Sequence, residues 1–253
     1  MTVRLHPFRW LACLSVFLLS TLAATGARAQ LGEYSVSELT GFAFYGMAKV
    51  EPDFRSWIVN SERYLDANVA ERQVMLRLDQ DRLSSGFDSY KPRDMPIELS
   101  IRAKMKLPAP NTVNKMVKDT GRVKVPIHVS DNKGAFFAIP VGEIWVALIP
   151  KDFESFLTVD LEPAEFNELK KRVKAGNADA EDAEEVTISM DLVPIQIDTK
   201  SPIQAEGFYL WTMMAEIISF DIWSHNKKRL LWSYSKKGYV SKNEKNISNL
   251  FDN

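Results

Sequence analysis

The chain has 253 residues, 45% hydrophobic and 26% charged, with 32 Lys+Arg against 33 Asp+Glu, which excludes collagenous, intrinsically disordered and polytopic membrane classes. Its one cysteine, Cys13, precedes residue 30, so the remainder has no disulfide, thiol or cysteine-ligated metal chemistry. With residues 1–29 set aside, 29 basic and 33 acidic residues remain, a net charge of −4 that argues against nucleic acid as a partner, because phosphate contacts need a basic excess.

Residues 1–29 carry the three parts of a secretory signal: Arg4 and Arg9 at the front, an apolar run from Leu11 to Ala24, and Ala27-Arg28-Ala29 before Gln30. Cleavage after Ala29 is expected, leaving no transmembrane span and placing the mature chain in the periplasm or outside the cell. The apolar run is 14 residues long, short of the roughly 20 that a spanning helix needs. An exported chain without cysteine must be held by its core alone, and residues 30–253 are enough to build one as a single α+β domain.

A helical part is expected over about 35–84, because Val36, Leu39, Ala43, Met47 and Val50 recur at helical spacing behind a Ser35/Glu38 cap pair. Phe42, Phe44 and Tyr45 lie off that stripe and predict a helix covered on more than one side. Pro52 fits the first position of a second helix carrying Phe54, Trp57, Ile58 and Leu65. Val69–Leu83 reads as a third, capped by Asn68 and Glu71, although Val74, Leu76 and Leu78 also alternate as a strand would.

From about 96 to 235 the period is two, predicting a mainly antiparallel sheet. Ile97, Leu99, Ile101, Ala103, Met105 and Leu107 alternate with polar residues, and Val123, Val125, Ile127 and Val129 repeat the pattern. Ser130–Gly134 reads as a hairpin turn into Ala135–Ile139, with further strands at Ile144–Ile149 and Phe156–Leu161. One more helix follows at about 163–175, with Pro163 in its first turn, Phe166, Leu169 and Val173 on its buried stripe, and Gly176 closing it. After an acidic loop (177–185), alternation resumes at Val186 and flips phase at Val193-Pro194, which predicts a bulge. Phe208–Trp223 is apolar at both parities, as a central covered strand would be. His225-Asn226-Lys227 turns it into Arg229–Tyr234, and residues 236–253 form a polar, basic tail. Val125–Val129 resembles Val193–Ile197, a weak internal duplication that chance similarity between strands also explains.

The chemistry-bearing patterns are few. Asp119-Thr120-Gly121 is the triplet by which aspartic proteases present a carboxylate, but Lys118 and Arg122 flank it where that arrangement has apolar and small residues, and there is no second copy. A turn into the strand at Val123 accounts for it. Ser130 and Lys133 have serine-x-x-lysine spacing in a turn and not at a helix start, and His128 and His225 sit at no metal-ligand spacing. The acidic loop lacks the glycine and distal glutamate of a calcium-binding loop. No metal or cofactor site is expected.

Two features stand out. Trp211, Trp223, Trp232, Tyr234 and Tyr239 fall within 29 positions of one another, and Trp223, Trp232 and Tyr234 flank one hairpin turn as candidate contacts for a ligand or partner. Asn226–Asn253 holds seven basic residues against two acids and could touch an anionic surface. The expected function is therefore a non-catalytic binding or assembly component of the bacterial envelope, with an envelope protein or ligand as partner. The alternative is a carboxylate-dependent periplasmic hydrolase using Asp119, Glu216 or Asp221, acids at a turn or on apolar strands where pKa values rise.

Overall fold

Six consecutive buried residues, Leu39 to Phe44, open the helical layer of the computed structural model, which describes residues 34–129, 136–176, 184–205 and 207–239. The expected signal segment, the turn at 130–134, most of the acidic loop and the tail beyond Tyr239 lie outside these residues. The first helix, α1 (Val36–Ala48), is buried on more than one side because Phe42 faces other helices while Phe44 reaches Trp211 of the sheet, their rings 6.5 Å apart.

The expected second helix is two. Pro52 stands ahead of the helix and not at its first position, which Phe54 takes: Asp53 caps α2 (Phe54–Val59), its carboxylate accepting from Ser56 N–H at 3.2 Å. Ser61 then caps a separate turn, α3 (Glu62–Asp66), by accepting from Tyr64 N–H at 3.3 Å. An N-cap residue leaves helical φ/ψ, so Ser61 interrupts the run and leaves Leu65 58% exposed. α4 (Val69–Ser89) begins at the expected Asn68/Glu71 capping box. Its strand-like alternation carries no structural meaning, since Val74 and Leu78 are both exposed.

Phe42, Phe54, Trp57, Phe87 and Tyr90 form one aromatic cluster between α1, α2 and the end of α4. The Tyr90 hydroxyl is buried there with no hydrogen-bond partner among the described residues, and burial pushes its ionisation up from the ordinary tyrosine range. Tyr90→Phe is expected to raise stability by about 1 kcal/mol, because it removes an unsatisfied polar atom and keeps the ring. Urea denaturation of the two proteins measures this, and a loss of stability in the variant would refute it.

The sheet is large and mixed, so the mainly antiparallel expectation holds in part. Its strands are β1 (Ile97–Met105), β2 (Val123–Val129), β3 (Phe137–Val141), β4 (Ile144–Pro150), β5 (Thr158–Leu161), β6 (Glu185–Ala205), β7 (Phe208–Ser224) and β8 (Leu230–Ser235). Their spatial order is β3-β4-β7-β6-β1-β2-β5, with β8 also paired to β7. Every pair is antiparallel except β4 with β7, which run parallel from Trp145↔Leu210 to Pro150↔Ala215. The α+β class stands.

Further differences follow from pairing. β2 does not turn into β3: its two sides are taken by β1 and β5, while β3 pairs β4 across a tight turn at Gly142. Phe156 belongs to a helical turn, α6 (Phe153–Phe156), ahead of β5. Asp119-Thr120-Gly121 ends α5 (Pro110–Thr120), and Gly121 takes φ 72° to stop the helix and enter β2. β7 is central as expected, with β6 on one side and β4 and then β8 on the other.

Both long strands carry an extra residue. Pro194↔Ala215 is followed by Gln196↔Met214, so Ile195 is the bulge read from the phase flip. Asp191↔Ser219 is followed by Leu192↔Ile217, which leaves Ile218 as a second bulge, on β7. The bulge in β6 has no counterpart in the β2 segment that resembles it, and the two strands differ in length, with 21 and 7 residues. One face of the sheet carries Ile97, Leu99, Met105, Ile188, Met190 and Phe220, all buried. α1 covers one end of that face and the remaining helix, α7 (Pro163–Gly176), covers the other through Phe166, Leu169 and Val173.

Candidate functional site

The helix α7 and the strand β8 lie side by side and leave between them an open groove of about 420 Å³. Leu161, Leu169, Leu231 and Trp232 make its apolar lining, and Glu165, Glu168, Arg172 and Ser233 its polar one. The C-terminal end of α7 comes close to the turn between β7 and β8 because Gly176 has no side chain: a Cβ there would stand 2.9 Å from Ser224 Cβ and 3.6 Å from Arg229 Cβ. Another surface depression, on α4, is lined by Asp81, Ser84, Ser85, Asp88 and Ser89 of that one helix, so it brings no separate elements together.

Trp232 is half-buried and held from behind. Its ring meets that of Phe220 edge-on at 6.3 Å, Phe220 stacks on Phe156 at 5.1 Å, and Phe156 meets Tyr234 at 5.1 Å. Phe220 is wholly buried, so the platform is anchored in the core. A rigid aromatic surface of this kind adds contact area to a binding site at little entropic cost. The charged rim is partly committed. Glu165 accepts the Glu162 backbone N–H at 2.8 Å, and Glu168 binds Lys171 at 2.8 Å, which holds its carboxyl below the ordinary range.

The three aromatic candidates are therefore divided. Trp232 and Tyr234 lie opposite Ile222 and Phe220, on the covered face. Trp223 lies opposite Leu230, beyond a register shift, and projects from the other face as its strand neighbour Ile222 does not. Trp223 and Trp232 do not face each other across the turn: Trp232 lies opposite Ile222 and Trp223 opposite Leu230.

The acids do not converge with the groove. Asp119 is exposed at the end of α5. Glu216 sits at an apolar parity in the sequence, yet the bulge at Ile218 brings it to the polar face of the sheet opposite Val193, where Lys236 Nζ donates to it at 2.6 Å. Asp221 is 2% exposed on that same face, near a row formed by Glu98 and Asp191 across β1 and β6. Tyr239 crosses this row and donates its hydroxyl proton to Asp191 Oδ2 at 3.0 Å. Asp191 was as legible as Asp221, being a lone acid within Ile188–Val193, but its polar parity made it look like ordinary surface.

Burial, and then Asp191 with its acidic neighbours, push the Tyr239 ionisation above the ordinary tyrosine value of 10.0. The folded state thus keeps a proton that the unfolded chain releases, so this contribution is complete below pH 10 and is lost as pH rises through the raised value. Burial shifts Tyr45 and Tyr90 in the same direction. Stability is expected to fall from about pH 10 to about pH 12, and to fall less in Tyr239→Phe. Urea midpoints across that interval measure both slopes, and identical slopes would remove the Tyr239 contribution.

Among the described residues no group of three or more His, Cys, Asp or Glu could hold a metal ion, and no helix is long and apolar enough to cross a membrane. His225 Nδ1 lies 2.9 Å from Glu185 Oε2, at the opposite end of β8 from Tyr239. Sequence reasoning named Trp232 but had no route to Arg172, Glu165 or Glu168 as its companions, because more than 50 residues separate α7 from β8. Comparison with known protein families, with characterised proteins and with solved structures finds no match.

Proposed function

We propose that this chain is a non-catalytic binding component exported to the bacterial envelope, and that it contacts its partner through the groove between α7 and β8. The observation that carries this reading is Trp232, half-exposed in an open groove yet backed by the wholly buried Phe220. Apolar lining with a few polar groups at the rim is the usual composition of a binding cleft. The scattered positions of Asp119, Glu216 and Asp221 favour binding over the hydrolase alternative, since water activation by a carboxylate pair needs both acids at one reacting atom.

The face assignment supplies the control. Partners captured from an envelope extract by the wild-type chain are expected to be lost with Trp232→Ala and retained with Trp223→Ala, both variants showing wild-type circular dichroism. Retention by both variants would overturn the groove as the contact. Placement in the envelope is tested by fractionation with N-terminal sequencing of the chain, where processing after Ala29 is expected.

A further inference from the structure

We infer that the outer edge of β8 takes an extended peptide segment of a partner protein as an added strand, with an apolar side chain on Trp232 and an acidic residue beside Arg172 and Arg229. This rests on the proposed role of the groove and specifies its occupant.

The groove is lined by three consecutive strand residues, Leu231, Trp232 and Ser233. Successive side chains of a strand leave opposite faces, so a depression touching all three abuts the strand's edge as well as one face. β8 has a single neighbour, β7. Lys236 N–H donates inward to Ile218 O at 2.9 Å, and alternation along the strand then turns the backbone groups of Tyr234 and Trp232 inward and those of Ser233 and Ser235 outward. No other described strand pairs with that outer side. Trp232–Ser235 contains no proline and no charge, the two devices that commonly close an edge to further pairing. β3, at one end of the sheet, contrasts with it: it contains Pro140, whose carbonyl accepts from Ser37 Oγ of α1.

An outward row of N–H and C=O groups is matched by extended main chain, whereas a sugar or a small ion has no such repeat. The charges choose the peptide. Glu165 and Glu168 are occupied within α7, as described above. At the end where α7 meets the turn before β8, Lys228 and Arg229 form no salt bridge among the described residues, Arg172 adds to the field that Lys171 already exerts on Glu168, and the position of Gly176 sets Arg229 against the helix end, so the local excess is basic. A segment with an acidic residue at that end gains the pairing. A second copy of β8 is disfavoured: antiparallel pairing centred on Ser233 would oppose Arg229 with Lys237 of the other copy, like charges directly across a strand pair.

The test is selection of displayed random heptapeptides on the purified chain, followed by fluorescence anisotropy of the enriched peptide. Expected are apolar residues at alternate positions with Asp or Glu toward one end, and at least tenfold weaker binding to Arg172→Glu. N-methylating alternate peptide amides of one parity is expected to weaken binding at least tenfold and those of the other parity to leave it unchanged, a readout that leaves the protein's fold untouched. Enrichment of basic peptides, equal response to both methylation parities, or a dimer abolished by Ser233→Pro would overturn the inference. Loss of peptide binding in Trp232→Ala without any methylation effect would defeat strand addition and leave the groove standing. If no selected peptide responds to Trp232→Ala, both fail.

Discussion

Phe42→Ala is expected to destabilise the protein by about 3–5 kcal/mol, the range for removing a fully buried aromatic ring. Phe42 is 0% exposed, and its ring stands 5.9–6.5 Å from those of Phe54, Trp57, Phe87 and Tyr90. It therefore joins α1 to α2 and to the end of α4, and none of the four can collapse into the vacated space without leaving another contact. At roughly 2–4 °C per kcal/mol for a chain of this size, the melting midpoint should drop by about 6–20 °C. Phe42→Leu, which retains much of the volume, should cost less than half as much. Thermal melts followed by circular dichroism measure the pair; a cost below about 1 kcal/mol for the alanine variant would mean that the helical layer is not held by this ring.

The second large effect is at Gly142. It turns β3 into β4 with φ 57°, and an added Cβ would stand 2.3 Å from Trp57 Cδ1 and 2.7 Å from Nε1. The other edge of the same indole is closed by Gly41 of α1, where a Cβ would meet Trp57 Cη2 at 2.2 Å. Gly142→Ala thus combines left-handed backbone strain, about 1–2 kcal/mol, with overpacking of about 1–3 kcal/mol. The two contributions separate in a Trp57→Leu background, where the steric part should vanish and the backbone part persist. Equal costs in the two backgrounds would show that Trp57 is not seated between the glycines.

What the sequence made legible was local. The alternation of Ile97–Met105, the Asn68/Glu71 cap and the phase flip at Pro194 each depend on residues within a few positions, and each is where it was read. Pairing was less accessible. The parallel contact of β4 with β7 joins residues 65 apart, and the bulge at Ile218, which moves Glu216 to the polar face, leaves only a faint trace in the sequence: polar residues pass from even positions (Thr212, Glu216) to odd ones (Ser219, Asp221) while apolar residues fill both parities. The same limit governs the site. Trp232 could be named from composition, but Phe220 behind it and Arg172 beside it become its neighbours only through tertiary packing.

The sheet's middle is laid down late. β1 and β4 are synthesised early, yet their partners β6 and β7 begin only at Glu185 and Phe208. Until those residues are available, two apolar strands wait with open sides, and closing them requires long-range loops that slow folding. A secretion route that delivers the polypeptide unfolded from its amino end would prolong that wait, so during transit this chain would depend on a holding factor far more than its finished architecture would suggest.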